Sequence, residues 1–254
     1  MGHNPIASLG DFMSEAATPW ARQFRISVRP LFQADLSCEL EGLGTGLLLR
    51  QSDHRMLVTA KHVPEDAWAD GTAVYGGLLE GGDIVELPGT TAGYPRPRDL
   101  AFFVGAEPLL RSVPEANFLD LDRHVAHNSP SPRFCFVLGY RAAKRAVNLN
   151  PEEHKARSEM FFYCGTIQGE TDINLDVQID YKKVRHTGMR QQTGELHGIS
   201  GGAVFGFDPL RPTAHAQLIG IVTGHERRER RLVCTKANVI RQFVRQAHHG
   251  INAR

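Results

Sequence analysis

Three short motifs contain the residue types that nucleophilic hydrolysis needs. His62 ends the sequence Thr-Ala-Lys-His, Asp99 begins Asp-Leu-Ala, and Ser200 is the third residue of Gly-Ile-Ser-Gly-Gly. A serine hydroxyl is a weak nucleophile at neutral pH, so it needs a neighbouring base to take its proton. A histidine ring is such a base, and a carboxylate holds that ring in the correct tautomer and stabilises its charged form. The three residues together predict acyl-transfer chemistry.

The elements around these motifs are short apolar runs separated by turn residues. Many short strands with frequent turns indicate an all-β sandwich or barrel. An alternation of apolar and polar residues over 24–29 predicts the first strand, and a short helix is expected before it, over 11–17. No helical pattern separates the strand pairs, which argues against a parallel α/β sheet. Apolar residues recur at helical spacing near the end of the chain, predicting an amphipathic helix over 237–248.

The composition is that of an ordinary globular protein without a strong charge. The 254 residues include 29 Lys and Arg against 28 Asp and Glu, a net charge of +1, and 41% are hydrophobic. So balanced a chain has no global field for holding nucleic acid or an anionic membrane surface. We therefore expect neither partner.

Cysteine usage and the beginning of the chain predict a cytoplasmic protein. The four cysteines, at positions 38, 135, 164 and 234, stand singly without a Cys-x-x-Cys pair, so neither a zinc site nor a redox motif is expected. Residues 1–32 contain no signal peptide, and no run of apolar residues is long enough to span a membrane. Four buried, reduced cysteines are the expectation.

Taken together, the motifs resemble those of the trypsin/chymotrypsin-like serine peptidases, in particular intracellular bacterial members. The resemblance extends from about residue 24 to residue 248 and includes the strand sequence Leu-Ile-Gly-Ile-Val-Thr, which ends at Thr223. It implies two perpendicular β-barrels with a C-terminal α-helix and the active site in the cleft between the barrels. The implied segments are a leader (1–22), a first barrel with His62 and Asp99 (23–115), a connection (116–133), and a second barrel with Ser200 and the helix (134–254).

The resemblance also implies an activity and roles for further residues. It implies a serine endopeptidase that cleaves a protein or peptide substrate through an acyl-enzyme, without metal or cofactor. The oxyanion donors would be the N–H groups of Gly198 and Ser200. Thr223 takes the place of a serine whose hydroxyl touches the catalytic acid, and so is expected to support Asp99.

The sequence departs from the digestive members of the family next to the nucleophile and at the chain start. Those members have an aspartate before the serine, which pairs with a newly cut N-terminus, whereas this chain has Ile199 and no Ile-Val-Gly-Gly start. The cysteine pair that flanks the histidine of secreted members is also missing. Activation by N-terminal cleavage is therefore not expected. Candidates for control are the leader, the proline-rich segment 106–133 and a regulatory partner.

The residue type preferred before the scissile bond is left open among several alternatives. Six residues are predicted to line the substrate pocket: Gly194, Glu195, His197, Gly224, His225 and Leu232. A buried Glu195 would favour Lys or Arg, since an unpaired buried charge is costly. The two histidines would instead favour an acidic residue, and Leu232 would narrow the pocket to small or apolar residues. Alternatively, Glu195 has no role and faces solvent or pairs with Arg190.

Four other functions are weighed against the peptidase. An esterase with an α/β-hydrolase elbow also has Gly-x-Ser-x-Gly, but the residues after Ser200 are strand-like and leave little chain for the other two catalytic groups. A catalytically silent, protease-like binding module usually lacks a triad residue. A nucleic-acid surface at 225–231 is interrupted by glutamates. His124 and His127 lack a pattern of further metal ligands.

Overall fold

The computed structural model describes most of the chain and contains two β-sheets and five α-helices within the described residues. The described residues are 9–34, 40–77, 83–87, 91–94, 97–103, 106–125, 132–140, 160–180, 185–186, 196, 198–211 and 215–251. The first sheet contains β1 Val28–Ala34, β2 Leu40–Gln51, β3 His54–Ala60, β4 Ala73–Gly77, β5 Ile84–Leu87, β6 Thr91–Tyr94, β7 Leu100–Phe103 and β8 Leu119–Asp120. The second contains β9 Phe134–Tyr140, β10 Met160–Glu170, β11 Asn174–Gln178, β12 Arg185–His186, β13 Ala203–Phe207, β14 Gln217–Glu226 and β15 Arg231–Lys236. The helices are α1 Leu9–Phe24, α2 His62–Ala69, α3 Glu107–Ser112, α4 Leu121–His124 and α5 Ala237–Ile251, with 3₁₀ turns at Arg25–Ser27 and Glu115–Asn117.

The first sheet is a half-barrel built around the long strand β2. Its strand order is β5-β4-β1-β2-β3-β7-β6, all antiparallel, and β8 adds a short parallel pairing to β2. Three consecutive leucines of β2 are fully buried, Leu47, Leu48 and Leu49. Because successive side chains of a strand face opposite sides, β2 is covered on both faces. Among the described residues, no pairing joins β5 to β6, so this sheet stays open.

The second sheet closes into a six-stranded barrel. β10 pairs with β9 on one side and with β11 on the other, which completes the ring β11-β15-β14-β13-β9-β10, and β12 extends from β10. Cross-strand pairs such as Leu175 with Cys234 and Val177 with Leu232 fill the interior with apolar side chains. The expected all-β architecture is confirmed.

The expected beginning of the fold needs two corrections. α1 continues through Phe24, well beyond the short helix expected over 11–17, and the first strand begins at Val28 rather than at residue 24. Met13, Ala17, Ala21 and Phe24 are buried, a helical spacing of three and four residues. Phe24 stacks on Phe205 of the second barrel with ring centroids 4.4 Å apart. Tertiary packing thus makes one face of α1 part of the core.

The C-terminal helix predicted over 237–248 is confirmed and extends to Ile251. Its apolar face is buried, and the ring of Phe243 lies 5.4 Å from Phe102 and 5.0 Å from Tyr94, measured between centroids. Both partners belong to the first sheet, although the helix follows β15 of the second. α5 therefore binds the two sheets together.

Three cysteines are free and buried, as the sequence predicts: Cys135, Cys164 and Cys234. Cys38 lies outside the described residues. Burial raises the pKa of the Cys135 and Cys234 thiols, which keeps both un-ionised at neutral pH. Within the described ranges, no helix is both long and apolar enough to cross a membrane.

Candidate active site

His62 and Asp99 form a pair held by two hydrogen bonds. His62 begins α2, directly after β3, and Asp99 precedes β7, which pairs with β3. The Nδ1 of His62 lies 2.6 Å from Oδ2 of Asp99, and the His62 backbone N–H donates to Oδ1 at 3.1 Å. Adjacent strands that end at the same edge bring the two residues together. Both bonds orient the imidazole relative to the carboxylate.

Asp99 occupies a backbone conformation that few residues other than glycine adopt. Its φ is +46°, in the left-handed region, where aspartate is one of the better tolerated residues. Its carbonyl accepts a hydrogen bond from the Lys61 N–H at 3.1 Å, and its side chain is only 6% exposed. The residue before it is also anchored, since the Thr235 hydroxyl donates to the Arg98 carbonyl at 2.5 Å. The surrounding structure thus holds a strained residue in place.

Ser200 lies in a tight segment, residues 198–202, which we call the serine loop. Gly198 and Gly201 have φ values of +85° and +86°. A Cβ on Gly201 would lie 1.8 Å from the Thr45 carbonyl oxygen, so no other residue fits there without backbone movement. The loop is tied to β14, because the Gly201 N–H donates to the Val222 carbonyl at 2.7 Å and the Val222 N–H donates to the Gly202 carbonyl at 2.8 Å.

Four of the five carbonyl groups of the serine loop accept hydrogen bonds, whereas three of its five amides donate none within the described residues. The Gly198 carbonyl accepts from the Thr45 hydroxyl at 3.1 Å, the Ile199 carbonyl from the Gly202 N–H at 2.8 Å, and the Ser200 carbonyl from the Thr45 N–H at 2.9 Å. Among the described residues, neither the Gly198 N–H nor the Ser200 N–H donates a hydrogen bond. Both amides are therefore free to bind another acceptor beside the serine.

The serine loop and the histidine meet across the boundary between the sheets. A Cβ on Gly44 would lie 3.2 Å from the Ser200 carbonyl oxygen and 2.7 Å from the side chain of Val63, which follows His62. The Ser200 hydroxyl makes no hydrogen bond to the His62 ring in the described part of the chain. A bond between a nucleophile and its base often tightens only when substrate binds.

Thr223 is placed differently from the expectation that its hydroxyl touches the acid. It lies 3.4 Å from the Val233 carbonyl and 3.4 Å from the Thr235 hydroxyl, and within the described ranges it has no hydrogen bond to Asp99. The hydroxyl faces β15 because that strand pairs with β14 at this point. Thr235 in turn binds the carbonyl of Arg98, so the link between Thr223 and the acid is indirect.

The structure describes half of the six predicted pocket residues. Gly224 and His225 follow Thr223 on β14 and are half-buried. Leu232 pairs with His225 in the strand register and is completely buried in the core of the second barrel. Gly194, Glu195 and His197 lie outside the described residues, as does Arg190. The residue type that the pocket prefers before the scissile bond therefore stays a prediction.

Two sequence features were not expected to be functional sites, and the structure gives their contacts: the histidines His124 and His127, and the charged segment 225–231. Nδ1 of His124 lies 3.1 Å from the Asp120 carbonyl oxygen, and its ring packs edge-on against Phe24. His127 is outside the described ranges, within which no group of three potential metal ligands occurs. At the 225–231 turn, Arg231 forms salt bridges with three carboxylates, those of Asp176, Glu226 and Glu229.

Sequence reasoning missed Thr45. This residue lies on β2, is fully buried, and contacts the serine loop through both its backbone N–H and its hydroxyl. The available signal was a threonine between two glycines, Gly44 and Gly46, at the start of an apolar run. Glycines at such positions often mark a close approach of another backbone.

Comparisons with known proteins find that the fold of this chain is similar to those of solved structures. No protein-family model and no curated protein matches the sequence. A solved structure of a Glu endopeptidase in complex with MPD is similar over 88% of this chain and 90% of its own, with a TM-score of 0.51 and 12% identity. The MamO protease domain from Magnetospirillum magneticum, in its apo form, covers 87% of this chain and 96% of its own, with a TM-score of 0.44 and 12% identity.

At such low identities, the similarity to solved structures concerns the fold alone. The half-barrel, the closed six-stranded barrel and the C-terminal helix correspond to the architecture that the motifs implied. The chain has a chymotrypsin-like all-β fold.

Proposed function

We propose that this protein is a serine endopeptidase in which Ser200 is the nucleophile, His62 the general base and Asp99 the orienting acid. The observation that carries the proposal is the 2.6 Å contact between His62 Nδ1 and the buried carboxylate of Asp99. An ionised carboxylate only accepts hydrogen bonds, so this contact requires the proton of the ring on Nδ1. Nε2 is then unprotonated and able to accept a proton from the serine.

The proposed reaction proceeds in two acyl-transfer steps. Ser200 Oγ attacks the carbonyl carbon of the scissile peptide bond while its proton passes to Nε2 of His62. The tetrahedral intermediate collapses as that proton moves to the leaving amine, and the C–N bond breaks to leave an acyl-enzyme. Water then attacks the ester, again with His62 as base, and releases the carboxylic acid and free Ser200. Asp99 stabilises the imidazolium formed in each half.

Two of the free amides of the serine loop, those of Gly198 and Ser200, suit the negative charge that develops on the substrate oxygen. Gly198 and Ser200 have N–H groups without an acceptor among the described residues, and their carbonyls are held by Thr45. Donors that are already in place stabilise a developing oxyanion without reorganisation during the reaction. We assign these two N–H groups as the oxyanion donors of a protein or peptide hydrolase that needs no cofactor.

The second candidate is a catalytically silent module that binds a partner through the same cleft. One observation favours it, namely that no hydrogen bond joins the Ser200 hydroxyl to His62 within the described ranges. In that case the His62–Asp99 pair would have only a structural role, and the protein would not hydrolyse a substrate.

Labelling with a fluorophosphonate probe separates the two candidates. The probe reacts with an activated serine, so the peptidase predicts covalent labelling of the wild-type protein and none of Ser200→Ala. Ser112→Ala is the matched control, because Ser112 lies on α3 and its hydroxyl donates only to the Pro108 carbonyl. Labelling that is equal in wild type and Ser200→Ala would contradict the assignment. A folded wild-type protein that stays unlabelled would support the silent module.

A further inference from the structure

A single residue of the first sheet holds the serine loop at two points. The Thr45 N–H donates to the Ser200 carbonyl at 2.9 Å, and the Thr45 hydroxyl donates to the Gly198 carbonyl at 3.1 Å. The two bonds fix the peptide group between Gly198 and Ile199 and the peptide group between Ser200 and Gly201. No other side chain in the described part of the chain donates to these carbonyls.

The direction of the Thr45 hydroxyl is determined by its neighbours. Its oxygen accepts a hydrogen bond from the Tyr140 N–H at 2.8 Å, which leaves its proton to donate. The Gly198 carbonyl at 3.1 Å is a better acceptor for that proton than the Tyr140 carbonyl at 3.5 Å. The Thr45 carbonyl in turn accepts from the Thr59 hydroxyl at 2.7 Å. Every polar group of this fully buried residue therefore has a partner.

The serine loop has no ion pair of its own that would replace these bonds. The residue before the serine is Ile199, which is 1% exposed and packs in the core of the second barrel. Gly198 has φ +85°, and glycine rotates its flanking peptides at little steric cost. The peptide that carries the Gly198 carbonyl therefore depends on an external hydrogen bond for its orientation.

We propose that Thr45 is a positioning residue that keeps the oxyanion donors in their active arrangement through its hydroxyl. The inference rests on the proposed function, since it assigns a role in the same site. Without the hydroxyl, the Gly198 carbonyl loses its donor, and the loop is free to rotate this peptide and displace the adjacent N–H groups. A small displacement at the reacting centre is enough to lower turnover substantially.

The decisive variants are Thr45→Val and Thr45→Ser. Valine keeps the shape of threonine and the backbone N–H bond to Ser200 but has no hydroxyl, whereas serine keeps the hydroxyl. Thr59→Val is the matched control, because it removes a buried hydroxyl at the same boundary that binds the Thr45 carbonyl rather than the serine loop. Should Thr45→Val not fold, Thr45→Ala provides the same test.

Two measurements are needed on each variant. Steady-state cleavage of a peptide substrate is expected to show kcat lowered about 10- to 100-fold in Thr45→Val with little change in KM. Thr45→Ser should recover most of the loss, and Thr59→Val should lose less than Thr45→Val. Hydrogen exchange followed by mass spectrometry is expected to show faster exchange of a peptide spanning 196–204 in Thr45→Val alone.

The outcomes separate the role of Thr45 from the proposed function. An inactive wild type with faster exchange of 196–204 in Thr45→Val would contradict the peptidase but retain Thr45 as the anchor of the serine loop. Unchanged exchange and unchanged kcat in Thr45→Val would overturn the inference while leaving the peptidase intact. A loss of kcat in Thr45→Val that Thr45→Ser does not restore would also overturn it, because the hydroxyl would then not be the cause.

Discussion

The two sheets hold their parts of the site by different means. In the first, which is open, His62 and Asp99 are joined by a direct side-chain contact of 2.6 Å between neighbouring strand ends. In the second, which closes into a barrel, Ser200 is placed by main-chain hydrogen bonds and by glycines at positive φ. A hydrogen-bonded pair of side chains can be assembled locally within one sheet. The serine loop also depends on hydrogen bonds from Thr45, which belongs to the other sheet.

This difference predicts different failures for the two halves. Changing a side chain in the first half should remove activity and leave the fold intact. Changing the backbone geometry of the second half should affect folding and activity together, because the same hydrogen bonds serve both.

The largest effect is expected from Asp99→Asn in the first half. The amide has nearly the shape of the carboxylate but favours the wrong tautomer of His62, so kcat should fall about 10⁴-fold. Kinetics with a peptide substrate measures this, and thermal unfolding should show a change much smaller than the loss of activity. A variant that keeps more than a tenth of the wild-type kcat would show that Asp99 does not orient the base.

Gly201→Ala tests the second half. The new Cβ would clash with the Thr45 carbonyl at 1.8 Å and the Thr59 hydroxyl at 2.5 Å. We therefore expect the free energy of unfolding to fall by about 3 kcal/mol or more, and activity to be lost as well. Chemical denaturation gives the value.

Gly71→Ala is the matched control for the backbone conformation at Gly201. Gly71 also has a positive φ, +73°, but a Cβ there would meet no atom within 4 Å. Its substitution should therefore cost only the conformational strain, about 1–2 kcal/mol. Equal losses in the two variants would mean that the contact with Thr45 contributes nothing.

A smaller effect than that of Gly201→Ala, and of the opposite sign, is expected from Arg29→Met, near the boundary between the sheets but outside the site. Arg29 is 1% exposed, donates only to the carbonyls of Ile26 and Val28, and its Nε has no partner. An unpaired buried cation is costly, so Met is expected to raise the free energy of unfolding by about 1–3 kcal/mol at pH 7. Arg50→Met is the control, because Arg50 binds Asp120 at 2.9 Å and its loss should not stabilise.

The advantage of Arg29→Met should shrink at high pH. Burial lowers the pKa of Arg29 to about 10, whereas the unfolded chain holds this proton up to its ordinary, higher pKa. Between these values the unfolded state binds more protons, so the wild type gains stability as pH rises, relative to the variant. Denaturation at pH 7 and at about pH 10.5 measures the difference. An advantage that stays constant or grows would contradict the assigned cost.

Local patterns in the sequence were enough to predict the class of fold and to propose the catalytic residues. The motifs around His62, Asp99 and Ser200 each follow or precede a short apolar run, and the structure has a strand at each of these places. Apolar spacing also predicted α5, since a helix buried on one face shows its period in the sequence. Such features depend on residues close together in the chain.

By itself, then, the sequence determined which residues are available for chemistry and that short strands carry them. Only the tertiary structure decided that one face of α1 joins the core, that the Thr223 hydroxyl faces β15, and that Thr45 binds the serine loop. Thr45 is 153 residues from Gly198 and 95 from Tyr140. Contacts at such separations leave no period in the sequence, because they depend on how two sheets pack rather than on the preferences of neighbouring residues.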